Sequence, residues 1–173
     1  AFPDGDRLMA IITHHVPMVR QYQSPICWVA CAAMILSYRT RSSVTVESLI
    51  GYDPGNSSIL NPATSWGVMY RMLNDWGITS TGPQMSPAVS YIEEMLQHNG
   101  PFILTHFTKT LAPTITGTGT HAVVISGINT NTGKCSYSNP WGTSNNSVDI
   151  STVQQSMQRL WLLSLRSVAY VSG

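Results

Sequence analysis

Charged side chains are scarce in this 173-residue chain: Asp, Glu, Lys and Arg together make up 10%, against roughly 25% in an ordinary soluble domain. The nine Lys and Arg are scattered and the formal net charge is +1. No basic stripe exists to track a phosphate backbone, so a nucleic-acid partner is not expected. Long apolar runs are missing too. The run Val29 to Leu36 is far short of the ~20 residues that span a bilayer, so no membrane partner is expected either. Cysteine is limited to Cys27, Cys31 and Cys135. An odd number excludes a fully paired disulfide framework. There is no CxxC, no Cys/His pair at zinc-ligand spacing and no ligand motif among the eight acids, so neither a metal nor another cofactor is expected. Ala1 to Arg20 lacks the basic start and apolar stretch of a signal peptide. Repeats, low-complexity tracts and linkers are absent, and residues 1–173 read as one domain.

What is present is enough apolar material for a core: 43% of the residues are hydrophobic, which excludes the signature of disorder. The polar surface must then come from the 21 Ser and 17 Thr. Residues 1–22 read as extended. Ser24-Pro25 carries a helix-opening signature, a favoured N-cap followed by Pro at the first helical position, and the helix should run to about Tyr38. Shorter helices are expected over Thr45–Ile50, Thr64–Trp76 and from Ser86-Pro87 to Asn99, the last stopped by Gly100-Pro101. The second half turns to strands at Phe102–Thr108, His121–Ile128, Cys135–Ser138 and Val148–Ile150. A helix at Ser151–Gln158 and a closing strand over Leu160–Val171 follow. Asp53–Pro62 and Leu111–Thr120 read as loops. A helical half followed by a β half predicts an α+β fold with an antiparallel sheet.

Cys27 falls in the first turn of the first long helix. There, unpaired N–H groups and the helix dipole favour an anion, and a thiolate is one; the expected effect is a lowered thiol pKa. Cys31, one turn on, and Cys135, in a strand, read as core. A thiolate nucleophile needs a base-like partner. His98 ends a helix, where a cation is favoured anyway. His14 and His15 precede the first helix, and His106 lies within a strand. His121 begins the most apolar strand, after the Gly117–Thr120 loop. A turn through Asn131–Gly133 would fold the next strand back and bring Asn139 to His121. Asn139 could then fix the imidazole tautomer and plane. Asp149 is the alternative orienter.

Taken in order, Gln21, Cys27-Trp28, His121-Ala122-Val123 and Asn139-Pro140-Trp141-Gly142 resemble the papain-like cysteine proteases. The resemblance implies a helix carrying the Cys, packed against a small antiparallel barrel-like sheet carrying His and Asn. It implies Cys27 as nucleophile, His121 as acid and base, and Asn139 as orienter, with Trp141 shielding that contact and Trp28 in support. Gln21 and the Cys27 backbone N–H would form the oxyanion hole, with Gln23 as the competing residue. The pattern Cys27-Trp28-x-Ala30-Cys31-x-x-Met34-Ile35 looks most like bacterial secreted effector proteases and staphylococcal-type papain relatives. The effector branch usually has Asp where this chain has Asn139; bacteriocin-processing peptidases have Cys-Gly and Asp-Pro in place of Cys-Trp and Asn-Pro. The implied function is a monomeric, cofactor-free endopeptidase acting on proteins or peptides, secreted by a bacterium either into its surroundings or into a host or rival cell. The same groups would serve a deamidase, a transglutaminase or a peptidoglycan amidase, and a third alternative is a non-catalytic peptide-binding domain.

Overall fold

A computed structural model describes residues 10–21, 26–51, 66–81, 88–107, 121–158 and 168–171. In chain order they form β1 (Ile11–Thr13), α1 (Cys27–Thr40), α2 (Val46–Ile50), α3 (Trp66–Asp75), β2 (Ile78–Thr81) and α4 (Val89–Glu94). Then come β3 (Phe102–Phe107), β4 (His121–Asn129), β5 (Lys134–Asn139), β6 (Thr143–Asp149), α5 (Ile150–Gln158) and β7 (Val168–Val171). The last turn of α4 widens into a π-helix over Met95–Asn99. The α+β expectation holds: the strands form a seven-stranded antiparallel sheet in the order β2-β7-β3-β4-β5-β6, with β1 added on β4, and the sheet curls as a half-barrel.

Alternation along the central strands divides the core into two. Ile103 of β3 and Ala122 and Val124 of β4 face α1 and join its cluster. Their neighbours Phe102, Leu104, Val123 and Ile125 face the opposite side, against α4, its π turn and α5. This is the two-residue period of a strand buried on both faces. A register shift between Ile125 and Gly127 re-aims the strand, so that Ile128 joins the second cluster. Gly127 is needed there because β1 lies directly over it: a Cβ would come within 2.6 Å of the Ile12 carbonyl oxygen.

α1 explains the apolar run seen in the sequence. Trp28 through Ile35 are buried without a break, so this helix has no polar stripe; it packs on β3 and β4, and Met69 and Leu73 of α3 join the same apolar cluster. Trp28 stacks on Trp76 with ring centroids 5.9 Å apart. Fully burying each large apolar side chain here contributes about 1.5–3 kcal/mol.

Several boundaries differ from expectation. α1 begins at Cys27, with Ile26 in the N-cap position and no capping side chain; Ser24-Pro25 lies outside the described residues. α4 likewise starts after Ala88 without a side-chain cap, and Ser86-Pro87 is outside. Only α2 has a side-chain cap among these, a capping box between Thr45 and Ser48. The strand expected at Val148–Ile150 extends back to Thr143, and Ile150 belongs to α5. β2 was not expected at all. The loops at Asp53–Pro62 and Leu111–Thr120 fall outside the described residues, as does the closing strand before Val168. No helix among the described residues is long and apolar enough to cross a membrane.

Candidate active site

Cys27 is the first residue of α1. With no capping side chain and no acid in the first turn, the orphan N–H groups of the helix start are left for the sulfur. Burial pushes the Cys27 thiol pKa up, and backbone N–H groups of Ala122, Trp28 and Cys27 pull it the other way. The expectation of a lowered pKa is therefore corrected. The helix start does favour the thiolate, but in the free protein the loss of water around the sulfur outweighs it. The Ala122 N–H also fixes a position, since it brings the sulfur to the residue that follows His121.

His121 opens β4 and is buried, at 7% exposure. Its Nε2–H donates to Asn139 Oδ1 over 2.8 Å in a buried contact. The Trp141 backbone N–H donates to the same oxygen over 3.1 Å. A shared N–H donor identifies that atom as the carbonyl oxygen of the amide, so the proton on His121 belongs on Nε2. Nδ1 is then the nitrogen free to exchange a proton. Burial lowers the His121 pKa, and the Asn139 hydrogen bond raises it in part.

The β5–β6 turn organises this half of the site. Gly142 N–H closes the turn onto the Asn139 carbonyl at 2.9 Å, a four-residue β-turn with Pro at its second position. Pro140 in turn accepts from the Gln21 N–H at 2.8 Å. One tight turn thus holds Asn139 and Gln21 together, although they lie far apart in sequence. Gln21 is buried, at 5% exposure. Gln23 lies outside the described residues.

Trp141, by contrast, is 44% exposed. Its backbone supports Asn139 while its indole faces solvent over nearly half its surface. Trp28 is core, held against Trp76. Asp149 does not serve His121: it pairs with Lys134 at 2.5 Å, at the far end of the β5–β6 ladder from Asn139.

Packing and hydrogen bonds account for the other two thiols and for His14. Cys31 is fully buried, and burial together with the neighbouring Cys27 pushes its pKa well up. Burial pushes Cys135 up to about 12. His14 is half-buried. Its Nε2–H donates to the Leu96 carbonyl at 2.8 Å, and Nδ1 accepts from the Tyr38 hydroxyl at 2.7 Å. It clips the N-terminal segment to α1 and to the π turn, a role with no local sequence signal. His15 and His98 are exposed, and His106 falls in β3. Arg20 was not singled out by sequence, yet its guanidinium lies against Gly142.

Among solved structures, a protein described as a C39-like peptidase from Bacillus anthracis is similar to this chain. The likeness has a TM-score of 0.63 at 16% identity, over 95% of this chain and 98% of the other, and shows a shared fold. A double glycine motif protease from an AMS/PCAT transporter, solved in complex with the leader peptide, aligns over 96% of this chain and 100% of its own at a TM-score of 0.49 and 13% identity. No curated protein matches the chain. The family model described as papain-like cysteine protease AvrRpt2 matches residues 10–158. That match runs from the strand pairing at β1 to the end of α5 and takes in Cys27, His121 and Asn139 alike, so the chain belongs to this family of papain-like cysteine proteases.

Proposed function

We propose that the protein is an endopeptidase that cleaves protein or peptide substrates through Cys27, His121 and Asn139, with Gln21 in the oxyanion hole. The observation that carries this reading is the buried His121–Asn139 bond. It fixes the tautomer with Nε2 occupied and leaves Nδ1 as the proton carrier, one residue from the N–H directed at Cys27 Sγ.

The reaction follows from those groups. Proton transfer from the thiol to His121 Nδ1 gives a thiolate, supported by the N–H groups of Ala122, Trp28 and Cys27. The sulfur attacks the amide carbonyl carbon; a C–S bond forms and the carbonyl electron pair moves to oxygen. The Gln21 side-chain amide and the Cys27 N–H meet that developing charge. As the C–N bond breaks, His121 gives its proton to the leaving amine. Neutral His121 then takes a proton from water, which attacks the thioester and releases the acid; the departing thiolate takes that proton back from His121 and restores the free thiol. Asn139 keeps the imidazole in plane throughout.

The same reading takes the whole chain as one peptidase domain acting as a monomer, without metal, cofactor, nucleic acid or membrane. Secretion from a bacterium, and action on proteins of a host or rival cell, rest on the likeness to effector proteases and on the charge-poor, Ser/Thr-rich composition. Incubation with a denatured protein and mass spectrometry tests the reaction type. New peptide termini, lost in Cys27→Ala, are expected. A one-dalton change at amide side chains would make the enzyme a deamidase, and an unchanged substrate would leave a binding domain.

A further inference from the structure

Gly142 closes the β5–β6 turn with φ +111°. A Cβ on it would stand 2.6 Å from Arg20 Nε and 2.8 Å from Arg20 Cζ. The guanidinium therefore occupies the space that a side chain at 142 would take. Arg20 makes no ion pair among the described residues, where Lys134–Asp149 is the ion pair formed. Its neighbour Gln21 is tied to the same turn through Pro140.

We propose that Arg20 is a positioning residue for Gln21, an inference that rests on the oxyanion-hole assignment above. Val16, Met18 and Val19 pack the preceding residues on the core, and the Gln21 N–H ties the segment to the β5–β6 turn. The Arg20 head, seated in the notch left by Gly142, supplies the second point on the same turn. Two points set the depth and direction of the Gln21 side chain. A planar guanidinium can lie flat over a peptide group, whereas a Lys ammonium is a hydrated point charge that cannot. Misplacing a catalytic group by about 1 Å costs on the order of a hundred-fold.

The test uses Arg20→Ala and Arg20→Lys in the full chain, with three readouts. These are kcat and KM on a peptide amide, affinity for a peptide aldehyde whose hemithioacetal oxygen occupies the oxyanion hole, and the rate of Cys27 alkylation by iodoacetamide. Alkylation needs the thiolate but develops no oxyanion. For Arg20→Ala we expect kcat and aldehyde affinity to fall together by about ten- to a hundred-fold, with KM and alkylation within about twofold. Arg20→Lys should recover little of the loss. In a Gln21→Ala background, Arg20→Ala should cost no more than about twofold, because the group it positions is gone.

Wild-type kcat in Arg20→Ala, full recovery in Arg20→Lys, a parallel fall in alkylation, or additive losses with Gln21→Ala would each overturn the proposal. Cys27→Ala measured alongside separates the two readings. Residual turnover there sinks the triad itself, whereas normal Arg20→Ala turnover beside an inert Cys27→Ala sinks only the clamp.

Discussion

The first and second turns of α1 carry the same side chain in different surroundings. Cys27 and Cys31 share a helix face, and burial raises both thiols. At Cys27 three backbone N–H groups oppose that rise. At Cys31 nothing does, and the neighbouring thiol adds to it. Interior amides are already bonded up the helix, whereas those of the first turn are not. A thiol becomes a candidate nucleophile here because of where the helix starts, and a shift of one turn would remove that property.

Breaking the comparison outright should give the largest effect. Cys27→Ala should lower kcat/KM by about ten-thousand-fold or more, while Cys31→Ala keeps most activity and loses ~1 kcal/mol of stability to the small cavity. Peptide hydrolysis and denaturant titration on the two variants measure both. His121→Ala should be as damaging as Cys27→Ala, and the double variant no worse than either, because in the proposed mechanism thiol and imidazole act as a unit. Additive losses would mean separate roles.

Next comes Asn139→Ala, which keeps the proposed nucleophile and base but frees the ring; we expect a loss on the order of ten- to a thousand-fold. It also has a signed pH signature. The Asn139 hydrogen bond raises the His121 pKa, so removing it lets the imidazolium lose its proton at lower pH. The acid limb of the pH–rate profile, below which His121 is already protonated and cannot take the thiol proton, should therefore move down. The smallest expected change is Asn139→Asp, where an added negative charge raises the His121 pKa and moves that limb up. A wild-type profile in both variants would remove Asn139 from the mechanism. Alkylation sharpens the original contrast directly: iodoacetamide followed by peptide mapping should find Cys27 modified before Cys31 and Cys135.

Much of this was legible in the sequence where local pattern and tertiary demand agree. The strand from His121 reads as buried because it is buried on both faces, and Asn131–Gly133 supplies the turn that folds β5 back on it. Patterns failed where partners rather than propensity make the element. Thr143–Ser147 has little to recommend it as a strand, yet it pairs with β5. Asn146 donates to the Tyr137 and Thr143 carbonyls, while Asn145 takes a left-handed conformation with φ 56°. β2 is four residues long and depends on β7. The position of Cys27 at a helix start was readable, but the sign of its shift was not, because desolvation is set by residues distant in the chain. The Gln21–Pro140 link and the Arg20 contact with Gly142 were invisible for the same reason.

The pairing of β1 with β4 has a consequence for timing. Ala10 and Thr130 bond to one another across 120 residues, and Gln21 waits on Pro140 in the same way. At ~5–20 residues per second, the ribosome exposes the N-terminal segment and its thiol about ten seconds before the strands that receive them. During that interval the segment has no partner, and the long loop must close before its contacts reward the chain. On the proposed assignment the nascent polypeptide carries its nucleophile first and gains base, orienter and oxyanion anchor last. A protease built in that order cannot cut its neighbours while it is being made.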